Sequence, residues 1–132
     1  MQKQARLIVD PSALLAVFLN EDERSVLEQK TAGCLLAAPG CIRWEMGNAL
    51  YGAFKRNRIT CEEAIRVFAE FESLSLRNMD VDINAALAIA TDNHIPAYDA
   101  YYLQCARSSG YPLLTLDQQM IAIARKMHLA VL

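Results

Sequence analysis

Short apolar runs alternate with stretches of helical periodicity along this chain, the arrangement expected of an α/β protein. The first run, Leu7-Ile8-Val9, reaches back to Arg6 at most and is apolar throughout, as a central parallel strand should be. Asp10-Pro11 then opens a helix to about Leu19, with Asp suited to the N-cap and Pro to the first turn. Asn20-Glu21-Asp22-Glu23 has capping-box spacing and predicts a second helix that Gly33 ends. Cys34 to Ala38 reads as a second strand closed by Pro39-Gly40, and a long helix is expected from Ile42 to Arg56. Thr60 to Glu63 forms another capping box, before a face of Ala64, Val67, Phe68 and Phe71. A short strand is expected between Leu74 and Val81, then a helix capped by Asp82 and ending near Asn93. Pro96 interrupts, and a helix is expected from Asp99 to about Ser108. Gly110-Tyr111-Pro112 turns into a strand at Leu113-Leu114-Thr115, Asp117 opens a helix to Met127, and Leu129 to Leu132 reads as a last strand. Repeated strand–helix units imply a mostly parallel sheet with helices on both faces.

The chain has 132 residues with no internal repeat or low-complexity tract, so one domain spanning 1–132 is expected. Apolar residues make up 54% and mean hydropathy is +0.13, enough to fill a core and to argue against disorder. A net charge of -2 rules out a strongly basic coat, so a bound nucleic acid would need a local patch. Apolar runs fall short of a membrane span, and Asp10 spoils a secretory h-region. The four cysteines lack C-x2-C spacing and sit among apolar or helix-forming neighbours. They read as buried, reduced thiols, which fits a cytoplasmic protein.

Of the 15 acidic residues, four stand out of place. Asp10 ends the apolar first strand, Glu45 lies between Trp44 and Met46, Asp99 follows Pro-Ala-Tyr, and Asp117 follows Leu-Leu-Thr-Leu. In an open parallel sheet, ligands gather beyond the carboxyl ends of the strands, where all four are able to meet. Glu45, Asn48, Ala49 and Gly52 share a small, polar helix face, distinct from the Trp44–Tyr51 side. Two unit charges about 4 Å apart repel by roughly 4 kcal/mol at an effective dielectric of about 20, a cost that a divalent cation removes. Oxygen-only ligation suits Mg²⁺ or Mn²⁺ rather than zinc. Taken singly, Asp10, Asp99 and Asp117 read better as helix N-caps, and Glu45 as a solvated helix residue, so only their combination points to a metal site.

Four segments in order resemble the PIN-domain ribonucleases, most closely the VapC-type toxins of prokaryotic toxin–antitoxin pairs. They are Leu7-Ile8-Val9-Asp10-Pro11-Ser12-Ala13-Leu14-Leu15, Trp44-Glu45-Met46-Gly47-Asn48-Ala49-Leu50, Ala97-Tyr98-Asp99-Ala100-Tyr101-Tyr102-Leu103 and Leu113-Leu114-Thr115-Leu116-Asp117. The resemblance spans nearly the whole chain. It implies a three-layer α/β/α sandwich and an endoribonuclease whose Mg²⁺ or Mn²⁺ is held by Asp10, Glu45, Asp99 and Asp117, of which we rank Asp117 as a supporting ligand. It also implies supporting roles for Ser12, Asn48 and Thr115, a small antitoxin that masks the site, and a homodimer. Cys41 stands where relatives often carry a small hydroxyl residue.

Arg43 and the cluster Lys55, Arg56 and Arg58 are candidates for an RNA backbone, although cations at a helix C-terminus also serve the dipole. Tyr98, Tyr101 and Tyr102 offer rings for base stacking or for packing. His94 and His128 look like loop residues with no ligand partner nearby. A PIN-like binding module without turnover is the alternative from another class. A D-x-D-x-T phosphohydrolase would need an acid where Ser12 stands, and no P-loop or Rossmann glycine pattern occurs.

Overall fold

The computed structural model describes residues 5–19 and 22–132. Among these residues four strands make one all-parallel sheet: β1 (Arg6–Val9), β2 (Leu35–Pro39), β3 (Leu76–Met79) and β4 (Leu113–Leu114), in the order β3-β2-β1-β4. Between and after them run α1 (Pro11–Phe18), α2 (Arg24–Thr31), α3 (Ile42–Lys55), α4 (Cys61–Glu72), α5 (Ile83–Asn93), α6 (Ala97–Ser109) and α7 (Gln118–Lys126). Leu7, Ile8 and Val9 are all buried although successive strand residues point to opposite faces, so both faces of the sheet are covered. Helix α6 lies across β1, β2 and β4 with α5 packed behind it, while α1 joins α2 and α3, and α3 joins α4. The three-layer α/β/α architecture expected from the sequence is the one observed.

The chain adds β2 and β3 on one side of β1, then crosses to place β4 on the other. That reversal makes the β1/β4 boundary a topological switch point, where the loops leaving the strand ends diverge and open a crevice. Main-chain bonds from Ile8 N to the Pro112 carbonyl (2.8 Å) and from Asp10 N to the Leu114 carbonyl (3.4 Å) hold the boundary together. Gly110, at φ 75°, closes α6 in the left-handed region and turns the chain into β4.

Three expectations need correction. Helix α6 starts at Ala97 with Pro96 as its N-cap residue, not at Asp99, because a proline fits just before a first turn that needs no donor from it. The last four residues form no regular strand; only Val131 bridges to Leu113. Cys105 alone of the four thiols is buried: Cys61 is exposed at the start of α4, and Cys34 and Cys41 are half-buried. The capping box proposed over residues 20–23 falls partly outside the described residues. Glu23 precedes α2 without a side-chain cap, whereas the Thr60–Glu63 box has both its arms.

Candidate active site

Asp10 leaves β1 and caps α1, its Oδ1 accepting from Ala13 N at 3.1 Å. Ser12 Oγ donates to that same Oδ1 at 2.7 Å, and Thr115 Oγ1 donates to Oδ2 at 2.5 Å. The two hydroxyls are themselves fixed by main-chain donors from the β4 exit, Leu116 N to Ser12 (3.0 Å) and Asp117 N to Thr115 (3.0 Å). Asp10 is only 5% exposed, and burial pushes its carboxyl pKa up, against the pull of Thr115, Ser12 and Ala13 N.

Glu45 enters from the first turn of α3. Its Oε2 accepts from the Tyr102 hydroxyl of α6 at 2.6 Å and from Cys41 Sγ at 3.0 Å. Burial and then the Glu45 carboxylate raise the Cys41 thiol to about 12, so it stays a protonated donor. The same causes raise the Tyr102 phenol. Asp117 caps α7, with Oδ1 accepting from Gln119 N (2.9 Å) and Met120 N (3.1 Å). Asp99 stands in the first turn of α6 and caps nothing. Its carboxyl is pushed up to about 6, first by burial and then by the charges of Asp117, Glu45 and Asp10. The cap reading therefore holds for Asp10 and Asp117 and fails for Asp99.

All four acids line one cleft of about 400 Å³ with Ser12, Asn48, Trp44 and Tyr98. Thr115 lies beneath it, reached through Asp10. A carboxylate oxygen accepts about two hydrogen bonds. Oδ1 of Asp10, Oε2 of Glu45 and Oδ1 of Asp117 each take two, which leaves capacity at Oδ2 of Asp10, Oε1 of Glu45 and Oδ2 of Asp117. That donor set, oxygen only and rich in negative charge, fits a hard divalent cation. Among the described residues no three His, Cys, Asp or Glu side chains form a ready-made ligand cage. The carboxylates share a cleft rather than a finished coordination sphere.

The chain is 30% identical over 125 residues to "Ribonuclease VapC3" of Pyrobaculum aerophilum, covering 87% of this chain and 92% of the relative. It belongs to the VapC-type PIN-domain ribonucleases. A second VapC relative from the same organism, "Exonuclease VapC9", is 30% identical over 119 residues, covering 87% and 83%. The crystal structure of PAE2754 from Pyrobaculum aerophilum superposes with a TM-score of 0.69 at 28% identity, covering 90% and 86%. That of Mycobacterium tuberculosis VapC20, a sarcin–ricin loop cleaving toxin, gives 0.63 at 14% identity, covering 88% and 93%, and supports the fold alone. No protein-family model matches the chain.

The basic candidates of this VapC-type chain do not join the cleft. Arg43 pairs with Glu72 at 2.7 Å and lines a neighbouring pocket. Lys55, Arg56 and Arg58 are exposed at the far end of α3, about 15 Å along the helix axis from Glu45. Sequence reasoning placed Trp44 away from the site, yet it lines the cleft. Its position directly before Glu45 was the available signal. Of the three tyrosines, Tyr102 is buried and Tyr101 partly so, while Tyr98 is exposed on the cleft wall.

Proposed function

We propose that this protein is a Mg²⁺- or Mn²⁺-dependent endoribonuclease acting as the toxin of a toxin–antitoxin pair. The observation that carries the reading is the meeting of four carboxylates, from four separate segments, in one cleft at the topological switch point. Asp10, Glu45 and Asp99 would hold the ion, with Asp117 supporting. A bound ion supplies an activated water and charge stabilisation for phosphodiester hydrolysis. Thr115 and Ser12 hold Asp10 in place, Tyr102 and Cys41 hold Glu45, and the exposed Asn48 amide is available to a phosphate oxygen. The names of the relatives, a ribonuclease and an exonuclease, support nuclease chemistry.

Linear and circular single-stranded RNA, each with Mg²⁺, Mn²⁺ or EDTA, provide the test. Metal-dependent opening of the circle is expected, since an exonuclease needs an end, and Asp10→Asn should abolish it. No cleavage of either RNA under any condition would favour the binding-module reading. The partners proposed are a small cognate antitoxin that masks the cleft and a second copy of the chain, in the cytoplasm. Among the described residues no helix is long and apolar enough to cross a membrane. Co-purification with the product of an adjacent short reading frame, and light scattering of the isolated chain, test the two partners.

A further inference from the structure

We infer that Trp44 and Tyr98 form a base-stacking platform that positions the bases of the RNA beside the carboxylates, an inference that rests on the nuclease reading above. Each ring stands one residue before a site carboxylate in the first turn of its helix: Trp44 before Glu45 on α3, Tyr98 before Asp99 on α6. Neither belongs to the buried face of its helix, which is Ile42, Met46, Leu50 and Ala53 on α3, and is centred on Tyr102, Leu103 and Ala106 on α6. Trp44 is 74% exposed and Tyr98 50%, yet both line the acidic cleft. Tyr98 is held T-shaped against Tyr101, with ring centroids 5.7 Å apart at 88°, which restricts its rotamers before any base arrives.

Charge points the same way. Among the described residues no Lys or Arg lines the cleft, and its acids repel phosphate until a cation neutralises them. Within the cleft, affinity beyond what the bound ion gives must then come from groups other than Lys and Arg, and aromatic faces accept any base without phosphate contacts. Only unpaired bases have faces to offer; those in a duplex are already stacked on one another.

Trp44 is the single tryptophan of the chain, so its fluorescence reports the cleft directly. An Asp10→Asn chain titrated with single-stranded RNA of about twelve nucleotides should show quenching, and the same sequence as a duplex should not. In cleavage assays, Trp44→Ala and Tyr98→Ala should each raise KM about tenfold or more with kcat nearly unchanged. Trp44→Phe should recover part of the loss. Their exposure predicts wild-type melting for both alanine variants, which separates stacking from folding. RNA cleaved with unchanged KM in both variants and no quenching would overturn the platform and leave the nuclease standing. RNA neither cleaved nor bound would remove the proposed function and this inference with it.

Discussion

Asp99→Asn isolates the electrostatic cost of the carboxylate cluster. Asp99 caps no helix, so the substitution costs no cap. In the fold its carboxyl titrates at about 6 rather than 3.8, because burial and then Asp117, Glu45 and Asp10 disfavour the charge. Between those two values the folded state holds more protons than the unfolded one, so stability falls as pH rises through the window and the whole penalty stands at pH 7. At full weight the difference between 3.8 and about 6 is worth about 3 kcal/mol, which solvent screening of a half-buried group reduces to about 1–2. Losing a first-turn negative charge costs α6 about 0.3–1 kcal/mol. The metal-free variant should therefore be about 1 kcal/mol more stable than wild type at pH 7, a rise of roughly 3–5 °C in melting temperature. The gap should narrow as pH falls through the window and close below 3.8, where Asp99 is protonated in both states. With Mn²⁺ at about 100 times its dissociation constant, wild type should gain roughly 2.7 kcal/mol, and the variant should lose most of that response. Thermal melts at several pH values, with and without Mn²⁺, measure every quantity. A variant that melts at or below wild type at pH 7, with an unchanged Mn²⁺ response, would refute the repulsive-cluster argument.

Three other substitutions probe single contacts. Asp10→Asn keeps an N-cap acceptor for Ala13 N, so it should stay folded while losing at least about 100-fold in cleavage rate, checked by circular dichroism and the RNA assay. Tyr102→Phe removes the 2.6 Å donor to Glu45 Oε2 and should weaken Mn²⁺ binding about tenfold by calorimetry, whereas a purely structural role for Tyr102 would lower the melting temperature and leave the Mn²⁺ affinity alone. Thr115→Val strips a donor from the buried Asp10 carboxylate and should cost about 1–3 kcal/mol in urea unfolding at pH 7; an unchanged midpoint would show that Asp10 does not depend on it.

The local elements were legible in the sequence because local chemistry sets them. The all-apolar Leu7-Ile8-Val9 run announces a strand covered on both faces, and Thr60 with Glu63 announces a helix start whichever fold surrounds it. The four acids stood out for a related reason: a carboxylate beside an apolar run has no local use beyond capping. What each acid does was beyond the sequence. Asp99 and Asp117 look alike as caps, but only Asp117 receives main-chain donors, because Pro96 fixes the start of α6 two residues before Asp99. The hold of Tyr102 on Glu45 joins residues 57 positions apart, and that of Thr115 on Asp10 joins residues 105 apart; no periodicity encodes such pairs. Trp44 was misplaced because an idealised helix face says which residues share a side, whereas the position of the neighbouring helix decides which side borders the cleft. The sequence by itself determined the strand–helix alternation and the set of acids. The strand order β3-β2-β1-β4 decided that they meet, because only the reversal at β1/β4 opens a crevice for them to share.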